Sequence, residues 1–184
     1  MYPRYSIDPK RRQAAIERAD LMFIEENSEN YSWFNCFVGV VGEHAVYTYF
    51  DKQNYGIRQG GKRQHDLELQ ATYNKIIRIE VKTICRTVRC EPSFEVNLAA
   101  RQVVTQHPDV YVFCSAYFTP TKDSAHCQEV EIVGWETRKN VIECGKLLPV
   151  GAKFGSGKEV QRESYSILVN ELRPITNLAQ MVTA

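Results

Sequence analysis

The order of hydrophobic patterns along the chain predicts an α/β fold. Three observations carry this: two helical stretches come first, two segments of alternating polar and apolar residues follow as a strand pair, and a nearly continuous apolar run, VYVFCSA (110–116), reads as a further strand. A single domain covering residues 1–184 is expected, since this length can bury roughly 70% of its unfolded surface in one core but is short for two.

The elements follow in chain order. Asp8-Pro9 is an N-cap followed by proline at the first helical position, and Ala15, Ile16, Ala19, Met22 and Phe23 then make one apolar stripe, so a first helix is expected over about 9–26. Residues 27–35 are polar and turn-rich. A second helix is expected from about Phe37 to Lys52, with Asn54 and Gly56 marking its end. From Phe37 to Phe50 it has almost no polar side and should be buried all round. Glu43 lies in its middle, where a carboxylate must be paired, protonated or bound to a cation.

IRQGGKRQ (57–64) reads as a Gly-rich basic loop, and DLELQAT (66–72) as a strand with Asp66, Glu68 and Gln70 on one face. In IRIEVKT (77–83), Ile77, Ile79, Val81 and Thr83 face one way and Arg78, Glu80 and Lys82 the other. Such a charged face is either an ion-paired solvent face or an active site. A hairpin through residues 72–74 sets Asp66 opposite Glu80, and opposed like charges destabilise a sheet unless a metal ion or Lys82 lies between them. Further on, residues 97–106 look helical, 129–135 form a strand, Thr137–Cys144 a short helix closed by Gly145, and 165–169 a last strand. GAKFGSGK (151–158) resembles a phosphate loop, but Ala152 replaces its first glycine and Glu159 its final Ser/Thr, so a nucleotide site is rejected.

Composition narrows the class. The chain is 43% hydrophobic and 24% charged, no apolar run approaches a membrane span, and MYPRYSIDPKRR lacks the apolar core of a signal peptide. A cytoplasmic protein with no membrane partner is therefore expected. The six cysteines, without any Cys-x-x-Cys pair, are read as free thiols rather than as bridges or zinc ligands. With 23 basic and 22 acidic residues, net charge gives no argument for nucleic acid. Local clusters do: Lys10, Arg11 and Arg12; Arg58, Lys62 and Arg63; and Arg78, Lys82, Arg86 and Arg89 could face phosphates, or be ordinary solvated faces.

The sequence of a helix glutamate (Glu43), a strand aspartate (Asp66) and Glu80-Val81-Lys82 on the paired strand resembles the PD-(D/E)XK nuclease superfamily, over about residues 37–118. One departure is His65 where a proline often precedes the aspartate. The resemblance implies a restriction-endonuclease-like mixed sheet core flanked by helices. It also implies catalysis by Glu43, Asp66, Glu80 and Lys82, with metal held by Asp66, Glu80, the Val81 carbonyl and Glu43. Gln102, on the expected third helix, matches an accessory polar position or is an ordinary exposed glutamine. Glu68 is a solvated strand residue or a helper for a second metal.

The chemistry of the residues agrees with this. Phosphodiester hydrolysis needs a hard cation, Mg²⁺ with Mn²⁺ as substitute, and carboxylates suit it. Residues 80 and 82 lie about 6.6 Å apart on one strand face, close enough to flank one water and phosphate. The expected function is a Mg²⁺-dependent DNA endonuclease, with Arg58, Lys62, Arg63 and Lys10–Arg12 on the DNA. The alternatives are a junction-selective resolvase or an inactive DNA-binding module of the same fold. A concerted double-strand cut would call for a homodimer, with contacts from Ile16, Ala19 and Phe23 or from residues 175–182.

Overall fold

The computed structural model describes residues 2–26, 32–61, 65–71, 75–119 and 126–183. The short strand β1 (Arg4–Ser6) leads into α1 (Pro9–Glu26), whose first turn is capped by Asp8: its Oδ1 accepts the Arg11 N–H at 2.8 Å. Ser32 caps α2 (Trp33–Asp51) in the same way, its side chain accepting the Asn35 N–H at 3.2 Å.

The strands β2 (Ile57–Gln59), β3 (Leu67–Gln70), β4 (Ile76–Arg86), β6 (Val110–Phe118) and β7 (Cys127–Thr137) join β1 in a six-stranded sheet of order β1-β7-β6-β4-β3-β2. The sheet is mixed, because β4 and β6 run parallel while the other pairs are antiparallel. Between β4 and β6 the chain forms β5 (Glu95–Ala99) and α3 (Ala100–Thr105); after β7 come α4 (Arg138–Cys144), β8 (Lys146–Leu148), β9 (Ser164–Leu168) and α5 (Ile175–Thr183). The protein is thus α/β, a mixed sheet core flanked by helices.

Two apolar clusters sandwich the sheet. Ile77, Ile79 and Val81 of β4 and Val110, Val112 and Cys114 of β6 face α1, α2 and α5. Tyr111 and Phe113 of β6 and Val133 of β7 face a second, three-stranded sheet of order β5-β9-β8, with Val103 of α3 and Val141 of α4.

Four expectations need correction. The second helix, expected from about Phe37, starts at Trp33 because Ser32 caps it there. Residues 97–106 are not one helix: Val96 and Leu98 alternate into the second cluster while β5 pairs with β9, so a period of two wins over the helix-forming composition until Ala100. Ile57–Gln59, expected as loop, is an edge strand on β3. The strand expected from Asp66 starts at Leu67, leaving Asp66 just outside the ladder. The expected hairpin turn at 72–74 lies outside the described residues.

Candidate active site

β3 pairs with β4 only as far as Leu67↔Ile79, whereas β4 runs on to Arg86. The strands therefore part at Asp66, which continues the register opposite Glu80 as the alternation predicts. The Asp66 N–H bonds the Ile79 carbonyl at 3.0 Å, and its carboxylate accepts the Val81 N–H at 2.7 Å, taking over from the missing strand. A residue's N–H and C=O point to the same side of a strand, so the Val81 carbonyl is directed into the same gap. Odd positions of β4 pack on α2, which turns Glu80 and Lys82 to the opposite face, where Lys82 Nζ lies 2.7 Å from Glu80 Oε1.

Glu43 reaches this fork because α2 crosses β4 closely. A Cβ on Gly42 would stand 1.8 Å from Thr83 Oγ1, so only glycine permits the approach. Glu43 is 5% exposed and paired: Arg18 of α1 donates to its Oε2 at 2.8 Å and to Gln59 Oε1 of β2 at 3.0 Å. Burial, opposed by Arg18, raises the Glu43 pKa to about 7, with Glu80 adding to the rise. Burial and the Glu43 and Glu80 charges push Asp66 well above the usual carboxylate range, against the Val81 N–H and Lys82. Glu43, Asp66, Glu80 and Lys82 are thereby brought into one electrostatic cluster.

Among the described residues, no three His, Cys, Asp or Glu side chains converge tightly enough to cage a metal ion as they stand. The donor set still suits Mg²⁺, which is commonly held by one or two carboxylates plus waters and substrate oxygens rather than by an all-protein cage. Asp66, Glu80 and the Val81 carbonyl are the groups that would hold it.

The other expected residues are dispersed. Arg78 is a staple, bound through Nε (3.1 Å) and Nη2 (3.0 Å) to Asp109. Arg86 donates to the Glu95 carbonyl and Arg89 pairs with Glu129, so each of these three arginines has a partner of its own. Arg58 donates to Glu68 at 2.6 Å, and His65 holds the other Glu68 oxygen at 2.9 Å, which engages Glu68 away from the fork. Lys62 and Arg63 lie outside the described residues. Lys10, Arg11 and Arg12 occupy the first turn of α1, with Arg11 3.5 Å from Asp8. Gln102 is half-buried on α3 and lines an open cleft with Arg101, Thr105, Arg162 and Glu163.

Two contributors escaped the sequence reading. Glu43's burial demanded a partner, but nothing local named Arg18. Gly42 carried a signal, since glycine inside a helix costs about 1 kcal/mol against alanine and needs a packing reason. No protein-family model matches the chain, and no curated protein matches it significantly.

Proposed function

We propose that the protein is a Mg²⁺-dependent nuclease that hydrolyses phosphodiester bonds in DNA, a member of the PD-(D/E)XK group, with its centre at the β3/β4 fork. The observation that carries this reading is the meeting of Asp66, Glu80 and Lys82 with Glu43 at the point where two strands separate. A structural ion pair has no need of three converging carboxylates, with Glu43 and Glu80 both raising the pKa of Asp66; a cation site does.

Bound Mg²⁺ would offset phosphate charge and lower the pKa of an attacking water. The chain's own residues do the rest. The Val81 N–H fixes the Asp66 carboxylate, and the strand fixes Glu80 against Lys82. Lys82, 18% exposed at its side chain, is open enough to reach a phosphate oxygen or a water and place positive charge where negative charge develops. The α3 cleft, on the same face of the sheet as Glu80, offers Arg101 and Arg162 to the nucleic-acid backbone; both are exposed and form no ion pair among the described residues. Mn²⁺ can substitute for Mg²⁺, and a cytoplasmic, nucleic-acid-associated location goes with this reading.

One observation favours an inactive binding module instead. Glu43 is paired with Arg18 and Glu80 with Lys82, so two of the three carboxylates have a cationic partner without a metal. Supercoiled plasmid, linear duplex, single-stranded DNA, RNA and a four-way junction, each with Mg²⁺ and with EDTA, separate the readings. Cleavage of duplex that EDTA stops supports the endonuclease; cleavage confined to the junction supports a resolvase; binding without cleavage supports the module. A concerted double-strand cut would need a second copy. The stripe residues Ala15 and Ala19 are buried inside the chain, as are Ile175, Leu178 and Ala179 of α5, so a homodimer contact on α1 falls to Leu21, Phe23 and Ile24.

A further inference from the structure

Many phosphodiester-cleaving centres use two cations about 3.5–4 Å apart. Here the carboxylate that would bring in the second is already taken. Arg18 Nη2 lies 2.8 Å from Glu43 Oε2 and is itself held by Gln59 at 3.0 Å, so the guanidinium is anchored from three elements, α1, α2 and β2. α1 cannot easily withdraw it, because Ala15 and Ala19, on either side of Arg18, are fully buried against the core. A guanidinium stays charged at every working pH and presents a rigid fork that suits a carboxylate. Glu43 is buried while the Arg18 side chain is 35% exposed, and the contact between them is a charge-assisted bond. A divalent ion arriving at Glu43 would have to displace that bond or sit beside a fixed positive charge.

We propose that the Arg18 guanidinium takes the place of a second divalent cation, so that the centre holds one metal ion, on Asp66 and Glu80, and Glu43 acts through Arg18 rather than as a direct ligand. This rests on the metal-dependent reading of the fork. Arg18 is then a positioning residue that supplies fixed charge where other centres spend a second ion.

The test is a count of bound Mn²⁺ per chain by electron paramagnetic resonance and calorimetry, on the full chain with an uncleavable phosphorothioate duplex. The wild type should bind one ion. Arg18→Met, which keeps an apolar stem but removes the charge, should bind two, and adding Glu43→Gln should return the count to one. Two ions in the wild type, or one in a folded Arg18→Met variant, would overturn the proposal and leave the metal-dependent reading standing. No Mn²⁺ bound to the wild type would overturn both. The wild-type count needs no variant, so a misfolded Arg18→Met protein does not remove the test.

Discussion

Asp66 is the residue on which both of the fork's other carboxylates act. Its pKa is raised in the fold above its free value of 3.8 by burial and by two carboxylates, so ionising it opposes folding. A raised carboxyl pKa gives stability that is full below the free value and is lost as pH rises through the folded one. For Glu43 that window runs from 4.5 to about 7. The metal-free protein should therefore melt at a lower temperature at pH 8 than at pH 5. Asp66→Asn can keep the acceptor for the Val81 N–H while removing the charge, so it should raise the pH 8 midpoint by about 2–4 °C per kcal/mol of repulsion relieved, with little gain at pH 5. Scanning calorimetry with a chelator reads this directly; an Asn variant less stable at pH 8 would contradict the electrostatic account. Asp66 and Glu80 were legible in the sequence because strand alternation and hairpin register are local rules. Arg18 was not, since pairing α1 with α2 is a tertiary contact between residues 25 apart.

At the scale of elements, the site depends on how closely α2 crosses β4. Gly42→Ala would drive a Cβ into Thr83 and should cost about 1–3 kcal/mol in urea unfolding, as overpacking does. Thr83→Ala in the same chain should restore most of that loss, because it removes Oγ1 and Cγ2, two of the three nearest atoms. A double-mutant cycle showing no coupling would mean that the approach is not tight. The helix α1 was readable from its cap and apolar stripe, and α2 from its apolar run, but not its start at Trp33 under the Ser32 cap. The split of residues 97–106 into β5 and α3 was not, because Leu98, Ala99, Ala100, Arg101 and Gln102 all favour helix, and only pairing with β9 decides for a strand. The second sheet as a whole rests on such long-range pairing.

Across the whole molecule, balanced net charge makes the distribution of cations decide where a polyanion can lie. Several arginines that looked available in the sequence have surface carboxylate partners, Asp109, Glu68 and Glu129, while Arg101 and Arg162 stand exposed at the α3 cleft with none among the described residues. Replacing both by glutamine should weaken duplex binding and lower the magnitude of its salt slope by about 0.9 per lost phosphate contact. An unchanged slope, measured by fluorescence anisotropy, would take the cleft out of the interface. No helix among the described residues is long and apolar enough to cross a membrane.

The central claim is that the β3/β4 fork is a hydrolytic centre, and the most direct measurement is plasmid cleavage in Mg²⁺ by the wild type, Asp66→Asn and Glu80→Gln, with folding checked by circular dichroism. The account predicts strand cleavage by the wild type that is abolished by EDTA and falls by about 10²–10³-fold or more in each folded variant. Cleavage retained at the wild-type rate in either variant would contradict it.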